Sequence, residues 1–514
     1  MGKPQVGSIV GERAAWFWIG CAFISLGVLL HLPMLAMAHE MGNHLAGMPM
    51  DLEMYFGMAA IAVGAPLACL GALPKHRAPH GDHAGTSYEA PDSTPLNKWH
   101  AGVLLVLTFG LIIDVMKPAT LGFVLPGMLV EYGVERSTVA LLPLVALTGT
   151  TVGSFLWGWL ADVYGRRVSI LLSTILFVAT SICGAMPAFE WNLVMCFLMG
   201  CSAGGMLPVI YTLLAEVMPP KHRSWVLVLV GGTGLVGGYL AASAAAHTFE
   251  PIFGWRALWL QGFPTGLLLL ALAWLIPETP RFLAEQGRAA ELEQMKVRFG
   301  LVPKARPARP PTDVPTPSGY RQITLALTIA ALCWSFVNFG LLLWLPSDLQ
   351  ARGYSAAIAS GILAKSSLLA LPTIMVAAFF YARVSSKWTL VATILLTLVG
   401  LIGALVPTAL LSWEPLLVSI IAMLIVGTNG TIAVLLPYTA ENYPLGMRGR
   451  ATGLVAGSSK FGGVAVQVAA LAGFVPTLVG AAIALLVPTA ASAGMIAWAG
   501  RETRGRSLRE LEAE

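Results

Sequence analysis

The 514-residue chain has little charge, because only 11% of its residues are Asp, Glu, Lys or Arg. Average soluble domains contain about 25% of these residues. Hydrophobic residues make up 56% of the sequence, and the mean hydropathy is +0.75. This scarcity of charge excludes an ordinary soluble domain and predicts an integral membrane protein.

Cysteine is also scarce, since the chain contains only six, all within apolar runs. No two of them have the Cys-x-x-Cys spacing typical of a metal site, so we interpret them as small core residues. The sequence contains no nucleotide-binding motif and no set of catalytic residues. We therefore expect neither an enzyme nor a bound cofactor.

Apolar stretches long enough to span a membrane, about 20 residues each, occur fourteen times. The first, from Ala14 to Ala38, is longer than the apolar core of a signal peptide, so we expect it to be retained. The prediction is an all-α polytopic membrane protein in which a two-helix hairpin precedes twelve helices. The stretches lie at about 14–38, 54–74, 100–130, 139–161, 167–186, 191–218, 224–247, 256–277, 323–348, 356–382, 388–408, 414–440, 451–474 and 476–499.

Basic residues are distributed unevenly between the two sides of this topology. If the N-terminus is inside, only Arg136, Arg256 and Arg352 face outside. Cytoplasmic loops of membrane proteins are rich in Lys and Arg, so both termini are predicted to be cytoplasmic in an inner (plasma) membrane. These loops account for the net charge of +5, which leaves no reason to expect a nucleic-acid partner.

Two polar stretches divide the chain. Residues 75–97 are rich in His, Gly, Pro and acidic residues, and six prolines, too many for a helix, lie within 300–318. We predict an N-terminal hairpin with its polar linker over 1–97, a six-helix bundle over 98–299, a cytoplasmic linker over 300–321, and a second six-helix bundle with a basic tail over 322–514.

The spacing Glu-x-x-Pro-x-x-x-Arg occurs twice, each time after a long apolar run. It runs from Glu216 to Arg223 and again, 225 residues later, from Glu441 to Arg448. Residues 277–281, Pro-Glu-Thr-Pro-Arg, have a counterpart in the second half, Arg-Glu-Thr-Arg at 501–504. Internal duplication in such an apolar chain is typical of secondary transporters, in which two bundles move about a central site.

Residues 158–167 read Gly-Trp-Leu-Ala-Asp-Val-Tyr-Gly-Arg-Arg and lie between the second and third of the twelve helices. This motif resembles the loop signature of the major facilitator superfamily. The two repeated motifs resemble those of its sugar porters and their relatives, which include organic-ion and aromatic-acid:proton symporters. The resemblance covers about residues 98–514. The counterpart of the loop signature, Arg-Val-Ser-Ser-Lys at 383–387, has no Asp or Gly, so we expect a looser gate in the second half.

The resemblance implies that charged residues of these motifs form cytoplasmic clusters that close the inner side of the protein. The alternative is that they are ordinary solvated loop charges. The implied gating residues are Asp162, Arg166, Arg167, Glu216, Arg223, Glu278 and Arg281 in the first half, and Glu441 and Arg448 in the second.

Four charged residues lie inside the predicted spans, namely Asp114, Lys117, Lys365 and Lys460. Charges at membrane depth are costly and are usually functional. Three cations against one anion favour a negatively charged substrate, and Asp114 is the predicted proton-coupling residue. The alternatives are that the lysines reach the headgroups or that Asp114 and Lys117 merely neutralise each other. The family resemblance places all four on helices that line the central cavity.

Further substrate-binding candidates are aromatic and amide side chains in otherwise apolar helices, because an unpartnered amide in lipid costs free energy. The aromatic residues have core packing as their alternative role. The candidates are Tyr211, Trp334, Asn338, Asn429, Tyr438 and Gln467. The first core helix resembles an aromatic-acid symporter pattern in which Lys117 replaces the second Asp.

The hairpin is rich in Met and His, which are soft ligands suited to Cu(I) or another late transition metal. The alternative is that methionine packs flexibly at a contact between helices. The candidate ligands are His31, Met34, Met37, His39, Met41, His44, Met48 and Met50.

The sequence thus predicts a secondary active transporter that moves a small organic anion of the carboxylate type by alternating access, with proton-coupled uptake. Its partners would be the substrate, protons and the bilayer, and we expect a monomer. A transition-metal or metal-chelate transporter that uses the hairpin is the first alternative. The second is a non-transporting membrane receptor or assembly factor.

Overall fold

The computed structural model describes residues 14–73, 86–305, 320–406, 412–443, 445–474 and 477–504. Its helices are α1 (Ala14–Leu29), α2 (Leu32–Glu40), α3 (Leu52–Ala72), α4 (Lys98–Tyr132), α5 (Arg136–Val139), α6 (Leu141–Tyr164), α7 (Arg166–Ala179), α8 (Phe189–Ala203), α9 (Met206–Val217), α10 (Pro220–Phe253), α11 (Ala257–Leu260), α12 (Gly262–Ala271), α13 (Pro280–Glu285), α14 (Ala289–Phe299), α15 (Arg321–Ser335), α16 (Leu345–Ala351), α17 (Ala356–Arg383), α18 (Ser386–Gly403), α19 (Glu414–Asn442), α20 (Leu445–Leu471) and α21 (Leu478–Ala499). The strands are β1 (Thr86–Glu89) and β2 (Val302–Ala305).

Within the described residues, thirteen helical stretches are long and apolar enough to cross a membrane. The polytopic helical class is therefore confirmed, whereas fourteen spans were predicted. The difference lies at 256–277, where the apolar helix Ala257–Ala271 is too short and is interrupted between α11 and α12. Pro264 explains the break, because it has no N–H to donate to the carbonyl four residues earlier, at the end of α11.

The chain divides into two compact units. Unit 1 consists of residues 1–117, 148–223 and 256–306, and unit 2 consists of 118–147, 224–255 and 307–514. These units differ from the predicted bundles, because parts of α4 and α10 belong to the same unit as the C-terminal half. Within unit 2, His247 Nδ1 lies 2.7 Å from the Ala357 carbonyl, and the Tyr239 hydroxyl donates to the Leu342 carbonyl at 3.2 Å.

The N-terminal hairpin of unit 1 is held together by glycines spaced seven residues apart. Gly20 and Gly27 on α1 face Gly57 and Gly64 on α3, and a Cβ on Gly64 would lie 2.8 Å from the Gly20 carbonyl oxygen. Small residues allow this close backbone approach between helices in lipid. The hairpin then packs on α7, where Phe17 and its neighbours form one hydrophobic cluster with residues of that helix.

The polar stretch before the first core helix is more ordered than a linker. Strand β1 pairs antiparallel with β2, with Thr86 opposite Ala305 and Glu89 opposite Val302. The two predicted linkers therefore meet in a two-stranded ribbon within unit 1. The proline-rich stretch at 306–319 lies outside the described residues.

Unit 2 has its own hydrophobic core, which is built from residues of α10, α15, α17, α18, α19, α20 and α21. The helix that begins with α15 changes to a π-helix over Phe336–Leu342. Single π-helical turns within longer helices are frequent at functional sites. Asn338, one of the predicted substrate residues, lies in this segment.

Candidate functional site

The loop signature forms a tight turn between α6 and α7. Gly165 has φ 101° and ψ 160°, a region that only glycine adopts without strain. A Cβ at this position would also collide with Oε2 of Glu278. The glycine of the signature is therefore required both by the backbone and by the carboxylate that packs against it.

Glu278 caps the first turn of α7. Its carboxylate accepts hydrogen bonds from the backbone N–H groups of Arg166 at 2.9 Å, Arg167 at 3.2 Å and Thr279 at 2.9 Å. Burial raises the pKa of Glu278, while the N–H donors and the Arg166 charge act in the opposite direction. The partial positive charge of a helix N-terminus favours a carboxylate at this position.

The second half reproduces this cap with different residues. Glu502 accepts from the backbone N–H of Ser386 at 2.9 Å, from its hydroxyl at 2.6 Å, and from the Ser385 hydroxyl. Partial burial acts to raise the pKa of Glu502, but the serine hydrogen bonds outweigh it and lower the pKa. Two serines therefore bind Glu502 in the segment that has no Asp or Gly, and the looser second gate stays a prediction.

Each motif glutamate has a threonine neighbour that the sequence analysis missed. Glu441 accepts from the Thr503 hydroxyl at 2.6 Å and also from Tyr381 and Ser224. Glu216 has a side-chain hydrogen bond with Thr279 and is within electrostatic range of Arg166 and Arg281. The sequence could have indicated both threonines, because each directly follows a glutamate of the second repeated motif, Glu278 or Glu502.

Arg223 does not join the cluster that the sequence predicted for it. It forms an ion pair with Glu89 at 3.1 Å, from the stretch predicted to be a linker. Asp162 pairs with Arg166 at 3.2 Å, and its side chain is 75% exposed. Arg448 lies in α20, but its side chain is outside the part of the chain that the structure describes.

The membrane-depth lysines do not form one cationic site. Lys117 is buried and donates hydrogen bonds to the Phe177 carbonyl and the Thr180 hydroxyl, both at 2.5 Å, and its ammonium lies over the Phe177 ring. The side chain is therefore used to join α4 to α7. This corrects its assignment as a substrate ligand.

The contacts of Lys365 also argue against a role in binding the substrate anion. Its side chain is 63% exposed and forms an ion pair with Glu414 at 2.5 Å. A cation that is exposed and already neutralised is poorly suited to select an anion. Asp114 is buried in α4, and Lys460 is half-buried in α20, so both keep positions compatible with their predicted roles.

Three of the aromatic and amide candidates form hydrogen bonds within the protein. The Tyr438 hydroxyl donates to the Arg501 carbonyl at 2.6 Å, and the Asn429 amide donates to Ile425 of its own helix. The Gln467 amide joins α20 to the π-helix through the Phe339 carbonyl at 2.8 Å. These contacts argue against substrate binding by Tyr438 and Gln467, because their polar atoms are already engaged.

Trp334 and Tyr211 remain candidates with polar atoms that have no protein partner. Both Trp334 Nε1 and the Tyr211 hydroxyl are buried without a hydrogen bond. Trp334 lines a small cavity in unit 2 together with Thr428 and Thr489, whose hydroxyls also have no partner. Trp334 thus lies beside unpartnered hydroxyl groups in the C-terminal core.

The contacts of the buried hairpin methionines favour packing, and the predicted metal site stays a prediction. The described residues contain no group of three or more His, Cys, Asp or Glu side chains that could hold a metal ion. His31 is buried, with Nδ1 2.7 Å from the Gly27 carbonyl. Met34 and Met54 are buried in a hydrophobic cluster at one end of the hairpin, and Met48 packs against it. Packing therefore explains these methionines.

Known proteins share similarity with this chain in sequence and in fold. A family model described as Major Facilitator Superfamily matches residues 105–467. The niacin transporter of Acinetobacter baylyi (strain ATCC 33305 / BD413 / ADP1) is 26% identical over 448 residues, which are 82% of this chain and 98% of that relative. The gallate transporter of Pseudomonas putida is 29% identical over 285 residues, 51% of this chain and 62% of the relative.

Comparison with solved structures supports the fold. The crystal structure of a D-xylose-proton symporter matches with a TM-score of 0.62 and 16% identity, over 80% of this chain and 100% of that one. This similarity concerns the fold alone, whereas the family model covers well over half of the sequence. The chain therefore belongs to the Major Facilitator Superfamily, as a multi-pass membrane transporter and not an enzyme.

Proposed function

We propose that the protein is a secondary active transporter of small aromatic carboxylates. The observation that carries the proposal is the similarity to the niacin transporter over 98% of that relative's length. Niacin and gallate, the compounds named for two relatives, are both planar aromatic carboxylic acids. A substrate of this class would need a cation for its carboxylate and an apolar or aromatic surface for its ring.

Lys460 is the cation that we assign to the carboxylate. It lies about 15 residues into α20 and is half-buried within a membrane span. Coulomb attraction between an ammonium and a carboxylate about 4 Å apart is roughly 4 kcal/mol at an effective dielectric constant near 20. One such lysine is therefore enough to favour an anion.

We assign ring binding to Trp334 and Asn338 in unit 2, and Tyr211 in unit 1 stays a separate substrate-binding candidate. We assign proton coupling to Asp114, because it is a carboxyl group buried within a membrane span. The proposal further includes an inner membrane location, cytoplasmic termini and a monomeric state. Under this orientation, we assign gating of the inner side to Asp162, Arg166, Arg167, Glu216, Glu278 and Arg281 in unit 1, and to Glu441, Arg448 and Glu502 in unit 2.

Uptake of a defined set of acids by purified protein in proteoliposomes tests this function. We expect accumulation of nicotinate or a hydroxybenzoate when the lumen is more alkaline than the outside, and loss of accumulation after a protonophore is added. Nicotinamide, which lacks the carboxylate, serves as the matched control and should not accumulate. Accumulation of nicotinamide or of an organic cation, with none of the acids transported, would contradict the assignment.

The two glutamate caps provide a second test, in which Glu502→Gln is compared with Glu278→Gln. Hydrogen bonds lower the pKa of Glu502 and burial raises that of Glu278, so neutral glutamine is expected to destabilise the protein more at position 502. With allowance for exposure, we expect a loss of about 1 kcal/mol for Glu502→Gln and less for Glu278→Gln at pH 7.

The pH dependence of thermal unfolding separates the two caps further. The folded-state pKa of Glu502 is lowered, so its charged carboxylate stabilises the folded protein above the ordinary pKa of 4.5. This stabilisation disappears as the pH falls through the lowered pKa. For Glu278, with a raised pKa, the cost of burying the charge is present above that raised pKa and is relieved as the pH falls through it. Equal losses for both variants at every pH would show that the caps are equivalent.

A further inference from the structure

We infer that the segment before the first core helix fixes the beginning of α10, and that Glu89 positions Arg223 there. This segment, residues 86–97, is called the arm below. The inference goes beyond the proposed function, which gives the hairpin and its connection no role. Four sets of contacts within unit 1 support it.

The arm is fixed along its length. Strand β1 is paired with β2, and Tyr88 is buried beneath the Lys296 ammonium, which lies 4.8 Å from the centre of its ring. Further along, the Asn97 side-chain amide donates to the Arg298 carbonyl at 2.7 Å. The arm therefore has one defined position on α14 and the residues that follow it.

Glu89, the last residue of β1, has a side chain that reaches α10. Its Oε1 accepts a hydrogen bond from Arg223 Nη2 at 3.1 Å, and both side chains are 25% exposed. A partly buried ion pair of this kind is screened less by solvent than a surface pair. Tyr88 and Ala90, on either side of Glu89, are buried, so the carboxylate is held by its neighbours.

Arg223 needs such a partner because of its place in the helix. α10 begins at Pro220, so the guanidinium lies in the first turn, where the helix dipole disfavours a positive charge. The Arg223 side chain belongs to the repeated Glu-x-x-Pro-x-x-x-Arg motif, and its Nε has no hydrogen-bond partner. Glu89 supplies the compensating negative charge from outside the repeated halves.

Arg223 is also the last residue of a unit 1 segment, because the chain passes to unit 2 at Ser224. The arm, which leads directly into α4, thus holds the beginning of α10 within unit 1. Glu89 is in this sense a positioning residue, since it acts through Arg223.

The test compares Glu89→Gln with Asp92→Asn, a matched control that removes an exposed carboxylate three residues further along the arm. Amide hydrogen exchange of the full-length protein in detergent is the readout, because it needs no substrate. We expect exchange at residues 223–228, in the first two turns of α10, to become at least threefold faster in Glu89→Gln and to stay unchanged in Asp92→Asn. Equal exchange in the two variants overturns the inference.

A double-mutant cycle on thermal unfolding provides the second measurement. Glu89→Gln and Arg223→Gln should lower the apparent Tm by similar amounts, and the double variant by no more than the larger single loss. Exchanging the two charges, with Glu89→Arg and Arg223→Glu together, should recover part of the loss. Fully additive losses would show that the pair is not coupled. Neither measurement depends on transport, so a failure of aromatic acids to be transported would contradict the proposed function alone.

Discussion

Gly165→Ala is expected to abolish transport and to lower stability more than any other conservative change in the loop signature. A non-glycine residue at φ 101° and ψ 160° is strained by about 1–3 kcal/mol. The new Cβ would also displace the Glu278 carboxylate, which accepts hydrogen bonds from three backbone N–H groups. The first turn of α7 would then lose its cap. Uptake in proteoliposomes and thermal unfolding in detergent measure the two effects.

Gly158→Ala is the matched control for this prediction. It is the other glycine of the signature, lies within α6, and would place its Cβ where no other atom comes within 4 Å. Replacing a helical glycine by alanine commonly stabilises a helix by up to about 1 kcal/mol. We therefore expect folding and uptake close to wild type. Comparable losses in Gly158→Ala and Gly165→Ala would show that the backbone conformation and the Glu278 cap are not the cause.

Lys460→Gln is expected to reduce uptake of the transported acid at least tenfold. Removal of the ammonium eliminates a charge interaction worth roughly 4 kcal/mol at close range, of which part is offset by the desolvation of both groups. The loss should appear in the apparent affinity and the rate together, because the interaction orients the substrate as well as attracting it. Uptake of the radiolabelled acid at several concentrations measures both quantities.

Lys365→Gln is the corresponding control, since Lys365 is a predicted membrane-depth lysine that the structure places in an exposed pair with Glu414. It should retain wild-type uptake within about twofold, as exposed ion pairs contribute roughly 0–1 kcal/mol. If Lys365→Gln loses uptake while Lys460→Gln keeps it, the assignment of the carboxylate site is reversed. If both variants transport normally, the anion is selected elsewhere.

Sequence patterns predicted the membrane class, the internal duplication and the loop signature, and the family model confirmed the family that the signature resembles. These properties can be read directly from the sequence, because a span is a run of about 20 apolar residues and a repeat is a spacing between residues. Even the missed threonines, Thr279 and Thr503, follow directly after repeated glutamates. The one failed span, at 256–277, contains a proline whose position relative to α11 the hydropathy pattern does not reveal.

The partners of the charged side chains were decided by tertiary structure. Lys117 could have met Asp114, a substrate or a headgroup, and α7 instead supplies a carbonyl and a hydroxyl. Arg223 meets Glu89 because a distant segment pairs with β2 and brings the carboxylate to α10. Spacing along a helix determines which side chains share a face. Only the packing of separate segments determines what that face contacts, so a buried or half-buried charge pairs with the group that packing places beside it.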